Sequence, residues 1–102
     1  MPNLQDLERP IDEAIANAIV DAIPESWNAA ELEVTHSDDG FGHVITNAEG
    51  HRDMVLASER IFEATFRLHE LFATFGKPWK KVVYKVRRTV DKSWGYSAEY
   101  TY

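Results

Sequence analysis

The hydrophobic pattern of this chain changes its period at Pro24, and that change constrains the fold more than any other feature. Before Pro24, apolar residues recur every three or four positions, which predicts an amphipathic helix. They are Ile11, Ile15, Ala18, Ile19, Ala22 and Ile23. Beyond Pro24, which cannot continue the helix, the period becomes two from Ala30. The sequence therefore predicts a helix, a sharp corner closed by a buried Trp27, and the first strand of a sheet.

The remaining elements follow from turn signals and periodicity. A turn at 37–40 predicts a hairpin with a returning strand at 41–46. A second helix is predicted from a cap at or near Asp53 to about Phe75, ended by Gly76 and Pro78. Alternating segments at 80–88 and 93–102 predict two more strands. The expected fold class is α+β in the order α-β-β-α-β-β. One domain, 1–102, then holds a four-stranded antiparallel sheet with both helices packed on one face.

Two finer expectations concern the helices. Residues 1–9 are polar and are expected to fray, so that Pro10 occupies the first helical turn, where its missing N–H costs nothing. The phenylalanines of the second helix are expected to form part of the hydrophobic core. They are Phe62, Phe66, Phe72 and Phe75.

Composition excludes several functions. The absence of cysteine rules out disulfides, thiolate metal sites and a cysteine nucleophile. The N-terminal residues lack the pattern of a signal peptide, and no apolar run reaches the roughly 18 residues of a membrane span. These features predict a soluble, cytoplasmic protein without membrane contact.

Charge is strongly asymmetric along the chain. Residues 1–70 contain 15 Asp or Glu against 4 Lys or Arg, whereas residues 71–102 contain 2 against 7. An acidic field of this kind repels nucleic acid and attracts basic surfaces. It is also compatible with nothing more than a soluble acidic surface.

No residue pattern predicts catalysis, a cofactor or a metal site. The four histidines, at positions 36, 43, 51 and 69, form no metal-binding spacing. His36 and His43 flank the first hairpin turn, where we expect them to be solvated. The serines lie in no nucleophile elbow, and the glycines form no phosphate-binding loop. The protein is therefore not expected to be an enzyme.

An alternative function is a nucleic-acid-binding module that uses the C-terminal hairpin. Basic residues there are interleaved with Trp79, Tyr84 and Trp94, as in a basic-aromatic surface. The basic residues are Lys80, Lys81, Lys85, Arg87, Arg88 and Lys92. The acidity of the other 70 residues argues against direct nucleic-acid binding.

The segment IANAIVDAIPESWNAAELEV resembles the start of the bacterial YezG-type immunity (antitoxin) family. The positions that carry this resemblance are Ile15, Ala16, Ile19, Ile23, Pro24 and Trp27. The end of the chain is similar to that family at Pro78, Trp79, Tyr84, Tyr96 and Tyr100. The chain departs from the family in its shorter middle and in the Lys92–Tyr96 segment, where relatives have a Gly-x-Phe turn.

The resemblance implies a cytoplasmic protein that binds and neutralises a cognate toxin domain, often a nuclease delivered between competing bacteria. An acidic, rigid protein could cover a basic nuclease site by stoichiometric occlusion. On charge alone, the candidate toxin-binding residues are Glu31, Glu33, Asp38, Asp39, Glu49 and Asp53. The oligomeric state is left open by the sequence.

Overall fold

A computed structural model describes residues 3–37, 40–47, 55–91 and 93–102. The elements are α1 (Leu4–Ala22), β1 (Ala29–Ser37), β2 (Gly40–Thr46), α2 (Glu59–Thr74), β3 (Lys81–Arg88) and β4 (Trp94–Thr101). They confirm the predicted α+β class, the order α-β-β-α-β-β and the four-stranded antiparallel sheet.

The strand order in the sheet is β2-β1-β3-β4, so β1 and β3 form its centre. β1 and β2 make the predicted hairpin, with Ser37 opposite Gly40. Gly40 has a φ of 116°, which a residue with a side chain adopts only with strain. β3 pairs with β1 on one side and with β4 on the other. Each central strand thus has two hydrogen-bonded neighbours, whereas β2 and β4 are edge strands.

Only one face of the sheet is buried, and both helices contribute to the core beneath it. Side chains alternate along β1 and β3, so that Leu32, Val34, Val82 and Tyr84 are inaccessible to solvent. Trp27 is fully buried in the corner after α1, as predicted. The opposite face of the sheet, called here the open face, carries the polar positions of the four strands.

Helix α1 begins earlier than predicted, and Pro10 lies inside it rather than in its first turn. The side chain of Asn3 caps the helix by accepting a hydrogen bond from the Asp6 amide at 2.9 Å. Leu4 packs against the core. This cap and this contact hold the extra turns in place although Pro10 removes one backbone hydrogen bond.

Helix α2 begins later than predicted. Ser58, which was expected inside the helix, is its N-cap and accepts a hydrogen bond from the Ile61 amide. The predicted cap, Asp53, lies outside the described residues. The predicted end is confirmed: Gly76 has a φ of 72°. The Lys77 amide donates to the carbonyl of Phe72 at 2.9 Å, as in a Schellman motif.

Candidate functional site

Glu31 and Glu33 lie on the open face in the middle of the sheet, beside cations. Glu31 is directly opposite Lys85 on β3. The Nζ atom of Lys81 is 3.8 Å from Oε1 of Glu33, and both side chains are nearly half exposed. Opposite charges on neighbouring strands attract each other and cancel much of the local field. This part of the predicted toxin-binding surface is therefore mixed in charge rather than acidic.

The other four candidate residues lie outside the described residues. They are Asp38, Asp39, Glu49 and Asp53. Their proposed contribution to toxin binding remains a prediction.

Another acidic surface lies on α1 and the turn that follows it. Between Leu4 and Glu25 the chain has six carboxylate side chains and one cation, Arg9. The exposed carboxylates are Asp6, Glu13, Asp21 and Glu25, called here the α1 acidic surface. Asp21 is paired with Arg60 of α2 at 2.6 Å, with both side chains more than half exposed. These carboxylates are visible in the sequence, but only the structure shows that they are exposed together.

Among the described strand residues of the C-terminal hairpin, most basic and aromatic side chains lie on opposite faces of the sheet, and Lys92 lies outside the described residues. Tyr84 is buried against the helices, whereas Lys85 and Arg87 alternate with it and reach the open face. Arg88 is an exception, since its guanidinium lies 5.0 Å from the ring centroid of the half-buried Trp94. A stacking surface for nucleic acid needs exposed rings beside cations. This separation therefore does not favour the nucleic-acid-binding alternative.

The histidines differ from the expected solvated pair. His36 is opposite Phe41 in the hairpin, and its ring lies 4.0 Å from that of His69 on α2. His43 lies further along β2, with Nε2 2.9 Å from the Thr65 hydroxyl oxygen. Burial lowers the pKa of His43 and is the largest cause of the lowered pKa of His69. Their surroundings therefore favour the neutral form of both imidazoles.

A buried carboxylate cluster was missed by the sequence reasoning. Asp12 of α1 is 7% exposed and accepts hydrogen bonds on Oδ1 from Tyr84 at 2.5 Å and Tyr100 at 2.8 Å. Burial, together with the nearby Asp12 carboxylate, raises the pKa of both phenols above the ordinary tyrosine value. Burial also raises the pKa of Glu8, one turn before Asp12, and a hydrogen bond from Tyr100 opposes that shift.

The cluster connects three secondary-structure elements through hydrogen bonds. The two tyrosines belong to β3 and β4, and the carboxylate belongs to α1. The phenols remain protonated and act as donors, so they satisfy a buried charge that would otherwise destabilise the fold. A signal was present in the sequence. The successive spacings from Asp12 to Ile15, Ile19 and Ile23 are three, four and four residues, which places Asp12 on the buried stripe of the helix.

Three of the four phenylalanines predicted for the core are exposed, contrary to prediction. One is Phe75, the C-cap residue of α2, which is 40% exposed, and the other two lie within the helix. Phe62 is 47% exposed and Phe66 is 52% exposed. They line a depression of about 380 Å³ with Phe41, His43 and Glu63. The reason is that α2 packs on the sheet through Ile61, Ala64, Thr65, Leu68 and Phe72, and residues 62 and 66 point to the side of that face.

Among residues 3–37, 40–47, 55–91 and 93–102, no three His, Asp or Glu side chains form a group that could hold a metal ion. His51 lies outside these ranges. Neither described helix is long and apolar enough to cross a membrane. Comparison with protein-family models and with curated proteins finds no match for this chain.

Proposed function

We propose that this chain is an immunity protein (antitoxin) that binds a cognate bacterial toxin domain and neutralises it by stoichiometric occlusion. The observation that carries this proposal is the segregation of charge, which leaves an acidic surface on α1 and the turn that follows it. Arg9 is the single cation of this segment, and Arg60 of α2 pairs with Asp21. The resemblance of the Ile15–Trp27 segment to YezG-type immunity proteins supplies the class of partner. A basic nuclease domain has the charge that such a surface attracts.

The α1 acidic surface would act first on the rate of association. Clustered charges of one sign raise the association rate of an oppositely charged partner by about 10- to 1,000-fold, and salt reduces this effect. The carboxylates of Asp6, Glu13 and Glu25 are exposed, so they can approach a basic surface without repacking the core. The Arg88 guanidinium lies near Glu25 and donates to its backbone carbonyl at 3.4 Å. Glu31 and Glu33 can join the contact only if the toxin displaces Lys81 and Lys85 as their neighbours. We therefore assign the leading role to α1.

The partner can be found by genetics. Candidate toxin domains from the neighbouring open reading frames are expressed in a bacterial host with and without this chain. The expected result is restored growth on co-expression and a stable one-to-one complex after purification. Failure to restore growth, together with no complex at micromolar concentrations, would exclude the proposed function.

The binding surface is then located with two triple charge reversals of equal size. One variant carries Asp6→Lys, Glu13→Lys and Glu25→Lys on the α1 acidic surface. The other carries Glu31→Lys, Glu33→Lys and Glu99→Lys on the open face. The α1 variant is expected to slow association at least about 10-fold at low salt, whereas the open-face variant should retain most of the rate. The reverse order would move the site to the sheet, and two unaffected variants would contradict occlusion by an acidic surface.

A further inference from the structure

Strand β2 is an uncharged edge. Its sequence, GFGHVIT, contains no Asp, Glu, Lys, Arg or Pro, and β1 is its only pairing partner among the described residues 3–37, 40–47, 55–91 and 93–102. Proteins usually protect an edge strand with charged side chains, proline or a bulge, because its free backbone groups can pair with another strand. The other edge strand, β4, carries Glu99. β2 is therefore the edge that is better suited to pairing.

Apolar side chains are exposed on both faces of this edge. Val44 is 55% exposed on the open face. On the helix face, Phe62 and Phe66 of α2 line the depression beside Phe41 and His43. Two exposed rings on the helix face and an exposed valine on the open face thus flank the uncharged strand, and together with it they are called here the apolar strip. Exposed apolar residues clustered in this way mark an interaction surface more often than singly scattered ones do.

The charged residues beside this strip can pair with the same residues of a second copy of the chain. Glu63 lines the depression, and Arg67 follows it by four residues, so the two lie one turn apart on the same side of α2. In a two-fold symmetric dimer, the α2 helices of the two protomers can lie antiparallel to each other. Glu63 of each protomer then faces Arg67 of the other, which gives two equivalent ion pairs. Two-fold interfaces require self-complementarity of this kind.

We propose that β2 and the adjoining face of α2 form a homodimer interface. β2 of one protomer pairs antiparallel with β2 of its partner, so that the two sheets join into one sheet of eight strands. Phe62 and Phe66 of both protomers then pack between the two α2 helices, and the Glu63 and Arg67 pairs border them. This surface is separate from the α1 acidic surface, so the inference is independent of the proposed function.

The test measures the mass of the full chain in solution. Sedimentation equilibrium from about 1 to 500 µM should give twice the monomer mass of 11.7 kDa at the upper concentrations. Val44→Lys and Phe66→Glu, made separately, should each weaken the dimer by about 30-fold or more, as expected for a central interface residue. Both side chains are half exposed, and circular dichroism checks that the variants remain folded.

Matched variants make the result specific. Val90→Lys is the same change at a fully exposed valine in the β3–β4 turn and should leave the dimer intact. Glu63→Arg and Arg67→Glu should each weaken the dimer, and the double exchange should restore it. A monomer at every concentration would overturn the inference. A dimer that tolerates both Val44→Lys and Phe66→Glu would overturn it equally.

Discussion

Replacing Tyr84 by phenylalanine tests whether the buried cluster holds α1 on the sheet. The substitution keeps the ring but removes a hydroxyl that donates to Asp12 at 2.5 Å in a fully buried position. Hydrogen bonds to charged groups contribute about 1.5–3 kcal/mol, and Asp12 keeps only the donor from Tyr100. We expect the free energy of unfolding to fall by about 2 kcal/mol. For a chain of this length the melting temperature should then fall by about 8–16 °C.

The assay is urea denaturation followed by circular dichroism, with Tyr102→Phe as the control. Tyr102 is 61% exposed, so loss of its hydroxyl should change stability by no more than about 0.5 kcal/mol. A double-mutant cycle with Asp12→Ala should give a coupling energy of about 1–3 kcal/mol, because the two groups share one contact. If Tyr84→Phe costs no more than Tyr102→Phe, or costs the same with and without Asp12, the cluster does not stabilise the fold in this way.

Two further predictions concern Pro10 and the histidines. Pro10→Ala should raise the free energy of unfolding by about 1–2 kcal/mol, since Pro10 is exposed inside α1 and alanine restores a backbone donor; a urea midpoint that falls would contradict this. The pKa values of His43 and His69 are lowered in the folded protein, so folding favours their neutral forms. Their contribution to the free energy of unfolding is therefore complete above the unfolded-state pKa of about 6.5, and it is lost as the pH falls from there through the folded-state pKa. The free energy of unfolding should therefore fall between pH 7.5 and 5.5, and it should fall less steeply in the double variant His43→Gln/His69→Gln. An equal fall in the unaltered protein and the double variant would refute this assignment.

The fold was predictable where the evidence was local. The change of period at Pro24 identified α1 and β1, and the glycine at position 76 marked the end of α2. Helix starts were predicted less well. Asn3 and Ser58 are the actual caps, and each competes with other polar residues nearby that are equally able to cap a helix. Which of them is used depends on where the helix packs.

The candidate site was predictable only in part. Alternation correctly placed Glu31 and Glu33 on the polar face of β1. The lysines that neutralise them come from β3, about fifty residues later, and only the pairing of β1 with β3 brings them together. The exposed positions of Phe62 and Phe66 depend in the same way on the rotation of α2 against the sheet.

The sequence by itself determined the type of each element, the buried faces of β1 and β3 and the uneven distribution of charge. These properties arise from spacing between near neighbours, which the chain carries in any conformation. The tertiary structure alone decided the strand order β2-β1-β3-β4, the meeting of Asp12 with Tyr84 across 72 positions, and the uncharged edge beside two exposed rings. Such features depend on which distant segments pack together, and all the contacts of the core determine that packing cooperatively.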